Sequence, residues 1–270
     1  MFLGAGIGYR RQLHDALLAT DAGPSVLEVM PDHVHDPAVL EPFAERYAIV
    51  LHDVGLSIAT VGSDDLARAR LRHARDVARR CRAVLFSDHL ALTRSPEGLD
   101  LGHLAPVWLT KTMLSHVIDR VRAAQDVLGI PVALENIAAP FTIPGNELTE
   151  GEFLSALVER TGCGVLLDLT NLLYNARNEG REPRELVAEY PLEAVAQVHL
   201  AGGFVDRSGR WVDSHSEAVE DASFALLREL SRARHSLRAI VVERDDKLGE
   251  LAGLCREAER AGSIWEELMT

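Results

Sequence analysis

The stretch Pro131-Val132-Ala133-Leu134-Glu135-Asn136 is a short apolar run that ends on a carboxylate and a carboxamide. Its length and apolar residues predict a strand that is buried on both faces. A buried carboxylate is costly unless a cation, hydrogen bonds or a metal ion compensates its charge. Because several other apolar runs of this chain also end on Asp, Glu or His, we expect these ends to meet at one metal site.

Seven further apolar runs alternate with segments of helical periodicity. The eight predicted strands cover residues 2–9, 25–30, 48–52, 83–86, 131–136, 164–168, 194–200 and 239–243. Continuous apolar runs are typical of strands in a parallel sheet, and alternating strands and helices form right-handed crossovers. Eight such units in 270 residues predict a single α/β domain over residues 1–270, a TIM (β/α)8 barrel. An open, doubly wound sheet is the alternative.

Several connecting segments carry local signals. Ser63 is placed to cap a helix that runs to Cys81, and residues 104–128 predict a helix that ends at Gly129. Thr149 and Glu152 form a capping-box pattern for the next helix. Residues 204–217 predict an irregular polar loop. The glycines of the first strand lack the spacing of a phosphate-binding loop, and they indicate a strand that its neighbours approach closely.

The composition narrows the class of protein. A net charge of −13 argues against nucleic acid or an anionic membrane as a partner. The three cysteines are widely spaced, which argues against a disulfide framework and a thiolate zinc site. Neither a secretory signal nor an apolar run of membrane-spanning length is present. The sequence therefore predicts a cytoplasmic protein.

The predicted strand ends carry imidazole, carboxylate and carboxamide groups. They are Glu28, His52, His89, Glu135 with Asn136, Asp168, His199 and Glu243, and the loop after the seventh strand adds Asp213 and His215. Any one of these residues alone is more often a core residue or a helix cap. A barrel, however, brings all of its strand ends to one mouth, where several carboxylates would repel one another without cations.

The donor types of this set indicate which metals fit. Imidazole and carboxylate ligands without thiolate suit iron, manganese, zinc or cobalt. More than about six such groups exceed the coordination shell of one ion. Two or three ions that share a bridging carboxylate are therefore the prediction.

These residues, in this order, resemble the multinuclear non-heme iron-dependent oxidative enzymes, the family of the methanobactin biosynthesis protein B. The matching stretches are residues 6–10 (GIGYR), 52–57 (HDVGLS), 87–90 (SDHL), 134–136 (LEN), 167–171 (LDLTN), 198–203 (VHLAGG), Asp213 with His215, and 242–245 (VERD). The chain departs from the family at Thr170-Asn171, where the family often has Asn-Asn. It also departs at Asn178-Glu179-Gly180, where the family often has His-Gly.

The resemblance implies a TIM barrel with two or three iron ions, mixed Fe(II) and Fe(III), that uses O2 as a co-substrate. It implies that His52, His89 and Glu135 bind one iron, and that Asp168, His199 and Glu243 bind a second, with Glu135 bridging. Asn136, Asp213 and His215 are implied as ligands of a third iron, with Asn171 near its shell.

The resemblance also implies an oxidase or oxygenase that modifies residues, often cysteine, of a ribosomally made precursor peptide. Either a separate partner protein binds the leader segment of that peptide, or the barrel binds it alone. The main alternative is a divalent-metal-dependent isomerase or hydrolase of the sugar-isomerase or endonuclease type, which are also TIM barrels. A non-enzymatic scaffold that binds a peptide or partner is the other alternative.

Overall fold

The computed structural model describes residues 1–62, 65–139 and 141–270. The strands of these residues are β1 (Gly4–Gly8), β2 (Val26–Val29), β3 (Ala48–His52), β4 (Phe86–His89), β5 (Leu92–Arg94), β6 (Asp100–Ala105), β7 (Val132–Glu135), β8 (Gly164–Asp168), β9 (Val195–Leu200), β10 (Phe204–Val205), β11 (Trp211–Val212) and β12 (Ala239–Val242). The α-helices are α1 (His14–Ala19), α2 (Glu41–Ala44), α3 (Asp65–Cys81), α4 (Lys111–Leu128), α5 (Glu150–Thr161), α6 (Leu169–Glu179), α7 (Pro183–Val187), α8 (Asp221–Leu227) and α9 (Leu251–Met269). Short 3-10 helices cover Arg11–Leu13, Pro31–His33, Pro37–Leu40, Leu192–Ala194 and Arg228–Ala233.

In the described part of the chain, eight parallel strands close into a barrel in the order β1-β12-β9-β8-β7-β4-β3-β2. Each of the eight runs predicted from the sequence overlaps or directly adjoins one of these strands. The predicted TIM barrel is therefore confirmed. Because all eight strands are parallel, their carboxyl ends lie at one face of the barrel.

The start of α4 differs from the prediction. The sequence predicted a helix from residue 104, but residues 104 and 105 belong to β6, which pairs with β5 in a two-stranded sheet. Thr110 caps α4 by accepting a hydrogen bond from Met113 N, and Gly129 ends it with a φ of 67°. The capping box of Thr149 and Glu152 is confirmed. The predicted cap Ser63 lies outside the described residues.

The segment 204–217, predicted as an irregular loop, contains an antiparallel hairpin of β10 and β11. Each of its strands has only two residues, too short for a period-two pattern in the sequence. Among the helices of the described residues, none combines the length and the apolar character that crossing a membrane requires.

The barrel interior is filled by small and branched apolar side chains. They are Val26, Val50, Leu85, Ala133, Leu166, Ala239 and Val241. A Cβ atom at Gly6 of β1 would lie 1.8 Å from the carbonyl oxygen of Val26, so this position requires glycine. The expectation that glycines of the first strand allow a close approach is therefore confirmed.

Candidate metal centre

The polar side chains of the barrel mouth lie one inward-facing position beyond the apolar filling. Because side chains alternate across a strand, residues two apart point to the same side. Glu135 thus follows Ala133, and Asp168 follows Leu166. The same step holds for three further pairs, Val26 with Glu28, Val50 with His52, and Val241 with Glu243. A layer of ionisable groups therefore lies directly above an apolar floor.

Glu135 lies between the histidines of this layer. Its Oε2 atom is 3.5 Å from His52 Nε2 and 3.2 Å from His89 Nε2. Its Oε1 atom is 3.3 Å from His199 Nδ1. His89 and Glu135 are direct neighbours in the register of β4 and β7. The two carboxylate oxygens therefore face different histidines, which is the geometry that a bridging ligand needs.

A second group surrounds His199. Its Nδ1 atom is 3.0 Å from Oε2 of Glu243. Asp168 neighbours His199 in the register of β8 and β9. The Oδ1 atom of Asp168 accepts hydrogen bonds from the backbone N–H groups of Thr170 and Asn171 and so caps α6, whereas its buried Oδ2 atom has no hydrogen-bond partner. One oxygen of Asp168 is thus held rigidly, and the other is available as a ligand.

Asp213 and His215 meet at the edge of this layer. Nε2 of His215 is 2.8 Å from Oδ2 of Asp213, and its Nδ1 atom is 3.7 Å from Oε2 of Glu243. His215 has a φ of 49°, in the left-handed region that costs energy for a residue with a Cβ atom. The structure therefore brings the predicted pair to the side of the second group.

Asn136 is fully buried, and both ends of its carboxamide contact the backbone of Asp168. Its Oδ1 atom accepts from Asp168 N at 2.8 Å, and its Nδ2 group donates to Asp168 O at 3.0 Å. Its own carbonyl oxygen accepts from Asn171 Nδ2 at 3.3 Å. Asn136 thus joins the ends of β7 and β8, and its role as a ligand stays a prediction.

Hydrogen bonds orient three of the four histidines. Ser87 donates its hydroxyl proton to the carbonyl of Leu51, so its oxygen accepts from His52 Nδ1 at 3.0 Å. The Nδ1–H group of His215 donates to Asp245 at 3.0 Å. In both imidazoles this leaves the Nε2 lone pair directed into the centre, an arrangement common among metal-binding histidines.

Glu28 orients the third of these histidines. Its Oε2 atom lies 2.8 Å from Nε2 of His199, and it also accepts a hydrogen bond from Gln197. With a cation bound, a proton on Nε2 would leave the Nδ1 lone pair of His199 available as a ligand on the side of Glu135 and Glu243. Sequence reasoning placed Glu28 at a strand end without a role and missed Gln197 altogether. The available signal was spacing, because Gln197 lies two residues before His199 on the same strand.

The charges of the centre shift the pKa values of its groups in opposite directions. Burial, with the nearby carboxylates of Asp213 and Glu135, raises the pKa of Asp168 well above its usual range. Burial also raises the pKa of Glu243, but in the metal-free protein the positively charged imidazolium forms of His199 and His215 outweigh it and hold this pKa well below the usual range. Such divergent shifts within a few ångströms are typical of a functional site.

Metal ions fit this arrangement. Among the described residues, three groups have ligand atoms within 4.8 Å of one another: Glu28, His52 and His199; His52, His89 and Glu135; and Glu135, Asp168, His199 and Glu243. Buried atoms without a hydrogen-bond partner include Glu135 Oε2, Asp168 Oδ2, His199 Nδ1, Asp213 Oδ1 and His215 Nε2. Buried polar atoms are rarely left unpaired, and a bound cation would satisfy these. Two of the groups share Glu135.

Removal of metal is expected to destabilise the protein. Without cations the buried carboxylates repel one another. A ligand whose free concentration is about 100 times its Kd stabilises the folded state by about 2.7 kcal/mol. For a chain of this size we expect chelation to lower the Tm by ~5–10 °C. Calorimetry of the metal-loaded, chelated and reloaded protein measures this change. An unchanged Tm after verified loss of metal would contradict it.

The comparisons with known proteins agree with this architecture. A family model described as RiPP precursor modification enzyme MbnB/TglH/ChrH matches residues 4–266. A UPF0276 protein of Streptomyces avermitilis is 38% identical over 266 residues, which cover 94% of this chain and 53% of the relative. This chain thus spans about half the length of that relative. A UPF0276 protein of Chromobacterium violaceum is 36% identical, over 96% of this chain and 94% of the relative.

Solved structures share the fold at low sequence identity. An L-ribulose 3-epimerase superposes with a TM-score of 0.62 at 15% identity, over 100% of this chain and 96% of the other. Endonuclease IV from Thermus thermophilus gives a TM-score of 0.62 at 18% identity, over 98% and 99% of the two chains. These likenesses show the barrel alone. The family match over nearly the whole chain shows more: this protein belongs to the MbnB/TglH/ChrH family of RiPP precursor modification enzymes.

Proposed function

We propose that this protein is an iron-dependent oxidase or oxygenase that uses O2 to modify residues, chiefly cysteine, of a ribosomally made precursor peptide. The observation that carries the proposal is the buried cluster of imidazoles and carboxylates joined by Glu135, in a chain whose family modifies precursor peptides. Oxygen and nitrogen donors without thiolate suit iron among other metals.

The proposed ligands are those implied by the sequence, and they would hold two or three iron ions. They are His52, His89, Glu135, Asn136, Asp168, His199, Asp213, His215 and Glu243. Bound iron would supply the one-electron and O2 chemistry that side chains cannot provide. The chain itself would orient the imidazoles through Ser87, Glu28 and Asp245, and would place the carboxylates above an apolar floor that excludes water.

The cysteines of the chain do not compete with a substrate thiol. Cys81, Cys163 and Cys255 are buried, and none belongs to the candidate metal groups of the described residues. Burial raises the pKa of the Cys81 thiol to about 11, which keeps it protonated. A thiolate for the proposed reaction would therefore come from the peptide.

The rim of the barrel mouth offers apolar contacts for a peptide. Leu99, Phe141, Phe204 and Val205 are exposed large apolar side chains on segments that follow β4, β7 and β9. Segments that follow the barrel strands emerge at the carboxyl-terminal face, where these side chains would be available to a bound peptide. This supports a peptide substrate, whether the chain binds it alone or with a partner protein.

Oxygen uptake tests the proposal. The protein is purified and loaded with Fe(II) under anaerobic conditions, then mixed with a cysteine-containing precursor peptide from a neighbouring reading frame, with and without a candidate leader-binding protein from the same region. We expect O2 consumption that depends on the peptide, together with a mass change of the peptide. A Cys→Ser peptide is the control and should not be modified. Lack of both O2 uptake and mass change in both arms would refute the proposal.

A divalent-metal isomerase or hydrolase is the second candidate, because zinc or manganese also fits imidazole and carboxylate ligands. Metal analysis separates the two. Protein isolated without oxygen that is colourless and contains only zinc favours the second candidate, whereas bound iron with a visible absorption band favours the first.

A further inference from the structure

The hairpin of β10 and β11 directly precedes Asp213 and His215, and the structure fastens it to one face of α6. Nδ2 of Asn178 donates to Trp211 O at 2.9 Å, and Trp211 N donates to Asn178 Oδ1 at 2.9 Å. One side chain thus takes both backbone groups of Trp211, as a neighbouring strand would. Asp213 lies two residues further along the chain. The two hydrogen bonds to Trp211 therefore fix the backbone position from which the Asp213 side chain reaches the metal centre.

Tyr174 holds Gly203, the residue directly before β10, the other strand of the hairpin. Gly203 N donates to its hydroxyl oxygen at 2.8 Å, and the hydroxyl group donates to Glu220 Oε1 at 2.8 Å. The ring of Tyr174 also stacks on Trp211, with ring centroids 5.2 Å apart. A Cβ atom at Gly203 would lie 2.8 Å from the ring of Tyr174. The backbone at Gly203 therefore lies directly against this ring, where a side chain would collide with it.

Arg177 completes this contact. Its guanidinium group lies 4.0 Å from the ring centroid of Trp211, and it pairs with Glu220 at 2.9 Å. Residues 174, 177 and 178 are three and four apart and therefore share one helical face. Asp168 is the N-cap of the same helix, which it caps through its Oδ1 atom. One rigid element thus connects Asp168 with the segment that carries Asp213 and His215.

We infer that Asn178 and Tyr174 are positioning residues for the third metal position, the one at Asp213 and His215. This inference rests on the proposed function for the identity of the metal. Neither residue belongs to the proposed ligand set. They hold the hairpin on α6 so that Asp213 and His215 stand at a set distance from Asp168 and Glu243. Without these hydrogen bonds, fewer contacts would hold His215 in its left-handed backbone conformation.

Metal content and hydrogen exchange of three variants test the inference. Asn178→Ala removes both bonds to Trp211, and Tyr174→Phe removes only the hydroxyl group and leaves the ring stack in place. Asn146→Ala is the matched control, because Asn146 accepts a hydrogen bond from Leu109 N at 2.9 Å, away from the hairpin. After anaerobic loading with Fe(II), metal per chain is measured by mass spectrometry. Amide exchange over residues 203–212 is measured on the metal-free proteins.

We expect Asn178→Ala and Tyr174→Phe to bind one iron fewer than the wild type and to retain the other ions. Amides of the hairpin should exchange about tenfold faster, since each variant loses hydrogen bonds that hold this segment. The control should match the wild type in both measurements. Full metal content in both variants overturns the inference, as does a wild type that binds fewer than three ions.

The two proposals fail in different ways. If the wild type binds three ions but consumes no O2 with the peptide, the proposed function fails and the positioning role stands. If peptide-dependent O2 uptake is present but the variants keep three ions, the positioning role fails alone.

Discussion

Glu135→Gln is expected to lose more than one metal ion while the protein stays folded. The glutamine side chain keeps the shape of Glu135 but not its charge, and the two oxygens of Glu135 face different histidine groups. Substitution of a residue that only supports a metal ligand lowers metal affinity by about 10- to 100-fold, so removal of a bridging charge should lower it by at least ~100-fold. Metal per chain and peptide-dependent O2 uptake both measure the effect.

Glu259→Gln, an exposed change on α9, is the control and should leave metal content unchanged. His89→Ala provides a contrast, because His89 belongs to only one candidate group. This substitution should reduce metal binding at that group alone. A Glu135→Gln protein that lost a single ion and kept the others would show that this carboxylate does not bridge.

Asp168→Asn is expected to abolish metal binding in its group and, at the same time, to stabilise the metal-free protein. Asparagine is as good an N-cap as aspartate, so the hydrogen bonds to the N–H groups of Thr170 and Asn171 are kept. The substitution removes one carboxylate from a buried cluster in which Asp213 and Glu135 are close enough to raise the pKa of Asp168.

The pH dependence follows from the direction of that shift. A raised pKa means that the folded, metal-free protein binds this proton more tightly than the unfolded chain does. The group therefore contributes its full stability below its unfolded pKa of about 3.9, and the contribution is lost as pH rises through the folded pKa. At pH 8 metal-free Asp168→Asn should be more stable than the metal-free wild type by roughly 1–3 kcal/mol.

Urea unfolding of both metal-free proteins at pH 5 and pH 8 measures this difference. The gap in free energy of unfolding should be larger at pH 8. Asp168→Ala is the informative second variant, since it removes the same charge but also the helix cap, which costs about 1 kcal/mol. A metal-free Asp168→Asn protein less stable than the wild type at pH 8 would show that the repulsion is not the dominant effect.

Much of this centre could be predicted from the sequence because the barrel imposes it. Once eight apolar runs indicated parallel strands, the polar residues at their ends had to converge at one mouth. Glu135, Asp168 and His199 were found in this way, and the structure brings all three within reach of common ligand positions. Adjacent strands even place Asp168 beside His199 in register.

Contacts between distant segments could not be predicted. Asp245, which follows the last barrel strand, accepts hydrogen bonds from Arg10 after the first strand and from His215. Nothing in the local sequence pattern of these segments indicates that they meet. Gly8 belongs to the same arrangement, because a Cβ atom there would lie 2.7 Å from the guanidinium group of Arg10. The hairpin was missed for a similar reason, since Asn178 fixes it from 33 residues away.

The sequence by itself determined the barrel and the residues at its mouth. Each apolar run predicts its own strand, and parallel strands that close into a barrel bring their carboxyl ends to one face. Only the tertiary structure decided which oxygen of Glu135 faces which histidine, which nitrogen of each imidazole is free, and that Asn136 contacts the backbone of Asp168. These choices depend on side chains that meet across strands, and their hydrogen bonds are settled only when the barrel closes.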